Sequence, residues 1–224
     1  MSSQNLIYVL RHGESLEDVD KTAHERMADE DMPLSQKGIY QALNFGKEIS
    51  EQVTGSDVVF YLSPSKRVLQ TSELIASGFT LGTRVNSKTL EVLRKQNWGT
   101  ILSHERPYLE RSRYEAGVLR YDFPNGESAK SFTGRLSDFV RMIRTQGRSK
   151  NVVRIVITHG FEMRVILMQM LGWTEDYFES LAHPKNCEAK KLVLTDSLAF
   201  ELLSEMRTFD QKSNPNFIPK IKHG

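Results

Sequence analysis

Val152-Val-Arg-Ile-Val-Ile157 is the feature of this chain that most restricts its fold. This β-branched run, broken only by Arg154, is the clearest strand in the sequence. The polar turn Arg148-Ser-Lys-Asn151 precedes it, and Thr158-His159-Gly160 leads directly into an apolar helical segment from Phe161 to Leu171. The same grammar recurs elsewhere. Leu6-Ile-Tyr-Val-Leu10 runs into Arg11-His12 and reads as a first central strand, and Asp57-Val-Val-Phe-Tyr-Leu62 runs into Ser63-Pro64. That pair supplies a cap and a proline suited to a first helical turn, so the spacing predicts a helix carrying Arg67, Leu69 and Thr71.

Between these strands lie helical patterns. Ser35 caps a helix through about Gln52, with Ile39, Ala42, Leu43, Phe45, Gly46 and Ile49 along one side. A helix starting at Ser128 or Ser131 runs to about Gln146, with Phe132, Leu136, Phe139, Val140 and Ile143 inward. A third strand is expected near Thr83 to Asn86, and late edge strands at Lys191–Leu194 and Leu198–Leu203. Strands alternating with helices predict an α/β three-layer sandwich with a mostly parallel sheet. Residues 97–125, more polar and aromatic, read as a helical insertion over the site, and residues 213–224 as a loose tail on a single domain spanning 1–224. Such sheets bind ligands at the carboxyl ends of their strands, where Arg11-His12, Ser63 to Arg67 and Thr158-His159-Gly160 all fall.

Composition narrows the function classes. The 30 basic and 28 acidic residues nearly cancel, which argues against a nucleic-acid partner or a membrane surface. One cysteine, Cys187, excludes an intrachain disulfide and speaks against a thiolate zinc site, so a reducing, cytoplasmic setting is expected. No signal peptide or membrane span is expected, and oligomeric state is left open. His24, His104, His183 and His223 lack close metal-ligand spacings and read as solvated, so no metal is implied. Arg106, Arg111, Arg113 and Arg120 read as an exposed helical face rather than a substrate entrance.

The turn residues carry the chemistry. A histidine directly after a buried strand is held on rigid backbone, and neutral imidazole is a competent nucleophile toward phosphorus. Arg11 beside it offers a planar donor fork to phosphoryl oxygens. Leu10-Arg11-His12-Gly13-Glu14-Ser15, Ser63-Pro64-Ser65-Lys66-Arg67-Val68-Leu69-Gln70-Thr71, Ile157-Thr158-His159-Gly160 and Phe123-Pro124-Asn125-Gly126-Glu127-Ser128 together resemble the histidine phosphatase superfamily, also called phosphoglycerate mutase-like. The resemblance covers about Leu6 to Leu194.

That resemblance implies cofactor-free phosphoryl transfer through a phosphohistidine. His12 is then the nucleophile, Arg11 and Arg67 clamp the phosphoryl oxygens, and His159 hydrogen-bonds them; Gly160 lets the backbone at a helix start approach the anion. Hydrolysis of a small-molecule phosphomonoester or a phosphoprotein is the first expectation. A catalytically weak phosphate-binding relative is the second. A mutase is the third, since Phe123 to Ser128 resembles the phosphatase branches more than the glycolytic mutases.

Two positions depart from the family pattern. Lys95, in Leu93-Arg94-Lys95-Gln96-Asn97-Trp98-Gly99, stands where a glutamate usually protonates the leaving oxygen, and Asp18 stands where asparagine is common. A pairing of Asp18 with Lys95 across the pocket would restore charge balance. Beside phosphate oxygens, Asp18 would have a raised pKa and could act as the acid, while Lys95 could stabilise the developing oxyanion. Glu14 and Glu91 are further candidate acids that the motif match does not support.

Overall fold

The computed structural model describes residues 5–20, 22–100, 105–146 and 151–208. The turn expected at 148–150, the tail from Ser213, His104 and His223 lie outside them.

Six strands form one sheet: β1 (Asn5–Arg11), β2 (Asp57–Leu62), β3 (Arg84–Thr89), β4 (Val152–Thr158), β5 (Ala189–Leu194) and β6 (Phe200–Leu202). Their order is β3-β2-β4-β1-β5-β6. The pairings β1–β4, β2–β4 and β2–β3 are parallel, whereas β5 is antiparallel to both of its neighbours, β1 and β6, so it alone runs against the rest; β6 is at the edge as expected, but β5 lies inside it. The sheet is therefore mostly parallel, as the sequence predicts.

The strand pleat divides the core in two. Val58, Phe60 and Leu62 of β2 and Ile155 and Ile157 of β4 face α2 (Gln36–Val53) and α3 (Lys66–Ser77), where Ala42, Phe45, Ile49, Val68 and Ile75 are buried against them. Ile7 and Val9 of β1, Tyr61 of β2 and Val156 of β4 face the other way. There they pack with Phe132, Leu136 and Phe139 of α5 (Ala129–Gln146) and Val165, Ile166 and Leu167 of α6 (Gly160–Leu171). Adjacent residues on one strand thus serve opposite layers, the period-2 signature of a sheet covered on both sides.

Ser35 caps α2 as expected, its hydroxyl accepting from the Gly38 N–H at 3.1 Å. The helix after β2 starts later than the sequence suggests, with Ser65 rather than Ser63 at its N-cap. Ser63 is occupied by the sheet: its N–H donates to the Ile157 carbonyl at 3.1 Å and extends the β2–β4 ladder by one bond. The short α1 (Leu16–Val19) follows the end of β1. The segment after β3 contains α4 (Arg106–Ala116), and α7 (Glu175–Ser180) precedes β5.

Candidate active site

β4 lies between β1 and β2, so the residues that leave the carboxyl ends of these three strands are neighbours. His12 follows β1, Ser63 follows β2 and His159 follows β4; Arg67 enters from the first turn of α3. All four are buried, Arg67 completely. The His12 and His159 rings meet edge to face with centroids 5.3 Å apart. Arg67 lies against both: its Nε donates to His12 Nε2 at 3.3 Å, and its Nη2 is 3.3 Å from His159 Nδ1. Ser63 Oγ is 2.9 Å from His159 Nε2.

The tautomer of His12 follows from these partners. Its Nδ1 is 2.7 Å from the carbonyl of Gly13, an acceptor only, so Nδ1 carries the proton and Nε2 keeps its lone pair. Burial, followed by the nearby charges of Arg67 and Arg11, pushes the His12 pKa down to about 3. Burial and Arg67 also hold His159 well below the usual histidine range. Both rings are therefore neutral at ordinary pH.

The loop carrying His12 is fixed by contact with α2. A Cβ on Gly38 would lie 2.0 Å from the Glu14 carbonyl oxygen, and one on Gly13 would lie 2.7 Å from that of Gly38, so the two backbones touch through glycine alone. Glu14 accepts from Ser35 Oγ at 2.8 Å and from Lys37 Nζ at 2.7 Å; it braces the start of α2.

Arg11 points to the rim. It donates to the Pro184 carbonyl at 2.9 Å and to Asp18 at 2.8 Å. Asp18 also accepts from the Ser15 N–H and hydroxyl, at 2.8 and 2.9 Å, and from Asn186 at 3.2 Å. Burial alone would raise its pKa, but the Ser15 hydrogen bonds and the Arg11 charge outweigh it and leave the carboxyl at about 2. With Arg11 and Ser15 as its partners, Asp18 is held as a carboxylate rather than as a protonated acid. Its pairing with Lys95 is overturned, because Arg11 takes Asp18 and different acids take Lys95.

Those acids are Glu17, at 3.0 Å, and Asp29, at 2.7 Å from Lys95 Nζ. Asp29 is also paired with Arg67, through Oδ2 to Nη2 at 2.8 Å and through its main-chain carbonyl to Nη1. Burial opposes its ionisation, but Lys95 and Arg67 together hold its pKa far below the usual carboxylate range. Neither Glu17 nor Asp29 is legible in the sequence, since the single turns that carry them, α1 and a 3₁₀ turn at Asp29–Asp31, are too short to show a periodicity.

Two histidines read as solvated belong to this surround. His24 Nε2 lies 3.0 Å from Arg106 Nη1, and Arg106 also donates to Glu17 at 3.2 Å. The ligand atoms of Glu17, His24 and Asp29 lie within 4.8 Å of one another, and the Lys95 ammonium lies against both carboxylates. His183 Nε2 would be 2.2 Å from a Cβ on Gly160, so this ring occupies the space the glycine leaves. Gly160 thus makes room for a side chain.

The insertion arginines divide. Arg111 and Arg120 are exposed and paired with Glu115 and Glu175, as a solvated face should be. Arg106 reaches the rim, and Arg113 stacks 3.9 Å above the Phe161 ring while donating to Gln96 at 3.2 Å. The aromatic residues around it, Trp98, Phe123 and Phe161, are the signal that could have distinguished it. Glu162 is a further buried acid; it accepts from the Gln96 N–H at 2.7 Å, and burial raises its pKa. Among the described residues no helix is long and apolar enough to cross a membrane.

The fold agrees with what the chain is similar to. The model of the histidine phosphatase superfamily (branch 1) matches residues 7–203. Phosphoglycerate mutase-like protein AT74H of Arabidopsis thaliana is 32% identical over 206 residues, 84% of this chain and 73% of that protein. Broad-range acid phosphatase DET1 of Saccharomyces cerevisiae is 31% identical over 115 residues, but these are 47% of this chain and 34% of the yeast protein. Among solved structures, Bacillus stearothermophilus YhfR superposes with a TM-score of 0.70 over 91% of this chain and 98% of its own, at 20% identity, which speaks for the fold alone. The matched span contains the ends of β1, β2 and β4 and every residue that meets there, and the chain belongs to the histidine phosphatase superfamily, branch 1.

Proposed function

We propose that the chain hydrolyses a phosphomonoester, carried by a small molecule or a phosphoprotein, through a phosphohistidine on His12. The observation that carries this reading is the tautomer of His12: Nδ1 is engaged by Gly13, and Nε2 carries the lone pair, which accepts a long hydrogen bond from Arg67 Nε and is released by it for attack. In the first step that lone pair forms the N–P bond as the ester P–O bond breaks, and the bonding electrons leave with the ester oxygen. In the second step, water attacks phosphorus and the N–P electrons return to Nε2, while one water proton stays on the phosphate formed and the other is released to solvent. Arg11, Arg67 and His159, with the backbone at Gly160, stabilise the charge on the transferring group.

The leaving oxygen needs a proton unless it is a good leaving group. Lys95 stands where the resemblance puts a glutamate, so alkyl esters should react roughly two to four orders of magnitude more slowly than the family chemistry allows. Aryl esters should be affected least. The chain is read as one domain in which residues 97–125 close the rim of the site.

A second reading, binding with weak turnover, is favoured by one observation: Asp29 and Lys95 form an ion pair directly on Arg67. Mass spectrometry for acid-labile phosphate on His12, after brief mixing with an aryl phosphate, separates the two. Modification of His12, absent in His12→Ala together with turnover, is the expected result. Full turnover by His12→Ala would overturn the mechanism, and tight phosphate binding without modification would favour the second reading.

A further inference from the structure

Arg67 is completely buried and cannot turn to water, so its guanidinium must always have a partner that balances its charge. In this structure the partner is Asp29, which takes both terminal nitrogens, one through its carboxylate and one through its main-chain carbonyl. A phosphoryl group that uses those nitrogens has to take them from Asp29. The second oxygen of the same carboxylate is held by Lys95 at 2.7 Å. A glutamate at position 95 would repel Asp29 from this place; a lysine draws it in. The departure at position 95 and the occupancy of Arg67 are therefore one arrangement.

We propose that Asp29 is an internal occupant of the phosphoryl site, held there by Lys95, and that ligands enter by displacing it. The proposal rests on the reading of this site as a phosphoryl site, but not on turnover. The displaced unit is small: the single 3₁₀ turn Asp29–Asp31, followed by the fully buried Met32, which anchors the chain while the turn moves. Arg67 keeps its place through His12 and His159, so the pocket need not rebuild when the carboxylate leaves. A site filled by its own chain nine parts in ten binds a competitor about tenfold more weakly than when vacant.

The test is calorimetric titration of inorganic phosphate at constant ionic strength into the wild type, Asp29→Asn and, as a charge control, Asp31→Asn. Asp29→Asn should bind phosphate about tenfold more tightly or better, with Asp31→Asn close to the wild type. Equal or weaker affinity in Asp29→Asn, or an equal gain in Asp31→Asn, would overturn the proposal. Hydrogen exchange on the wild type gives an answer that needs no variant. Saturating phosphate should speed exchange at the Asp31 and Met32 amides, which donate to Ala28 and Asp29, because the turn loses its hold on Arg67. Slower or unchanged exchange there would count against it. Tighter phosphate binding by Asp29→Asn in a protein that never phosphorylates His12 would support the occupant while retiring the hydrolase.

Discussion

The Nε–H of Arg67 donates to Nε2 of His12 at 3.3 Å, a hydrogen bond that exists only if this imidazole nitrogen is unprotonated. Burial of the ring and the guanidiniums of Arg67 and Arg11 favour the same state, with the pKa near 3.

His12 should therefore be a neutral imidazole with its proton on Nδ1 across the whole physiological range. Nitrogen-15 chemical shifts of the two ring nitrogens would show this tautomer without titration between pH 8 and pH 5. An imidazolium signature for His12 at pH 6 would contradict the geometry.

Lys95→Glu places a third carboxylate beside Glu17 and Asp29. Restoring the residue the family resemblance implies should by itself do harm: a loss of about 1–2 kcal/mol, since the site is partly solvated, seen as a fall in Tm of about 2–8 °C. Adding Asp29→Asn should recover most of this loss, because it removes one of the repelling charges. A Lys95→Glu protein as stable as the wild type would show that Glu17 and Asp29 do not hold this lysine in solution.

Asp18 ties folding to acidity. Its folded pKa, about 2, lies below the ordinary 3.8, so the unfolded chain binds the proton more readily. The stability it contributes is complete above about pH 4 and is lost as the pH falls toward 2, an effect of about 2 kcal/mol. Asp18→Asn, which can still accept from Ser15, should show a correspondingly flatter decline in urea-unfolding free energy between pH 5 and pH 2. Parallel curves for the two proteins would refute the assignment.

Gly38 and Gly134 both lie within helices, yet alanine should act in opposite directions. At Gly38 the new methyl would lie 2.0 Å from the Glu14 carbonyl oxygen, whereas at Gly134 it would meet nothing within 4 Å. Gly38→Ala should cost about 3 kcal/mol or more by forcing the His12 loop away from α2. Gly134→Ala should gain up to about 1 kcal/mol from helix propensity. Equal effects in denaturant titrations would mean that the loop and α2 are not in contact.

The residues legible in the sequence are those placed by regular structure. His12, Ser63 and His159 each follow a buried strand, and the order of the strands brings them together whatever the connections do. Arg67 was legible because it sits in the first turn of a helix whose strand was plain. Asp29 and Glu17 were not, for they lie between β1 and α2, where no periodicity assigns a side chain a direction. Lys95 is legible through the family resemblance, but its partners come from that same stretch, and Asp18 is satisfied locally by Ser15 and Arg11 instead. Helical spacing puts Arg113 on a solvated face, because it cannot show which arginine meets an aromatic cluster from another element.

The place of β4 between β1 and β2 has a consequence for biosynthesis. The chain elongates from the N-terminus, so the segments bearing His12 and Arg67 leave the ribosome long before the strand that must separate and align them. A nascent chain halted between Arg67 and Val152 has both residues but lacks the strand that lies between β1 and β2. Competence to capture an anion should thus arrive abruptly, once Thr158 and His159 have emerged and inserted.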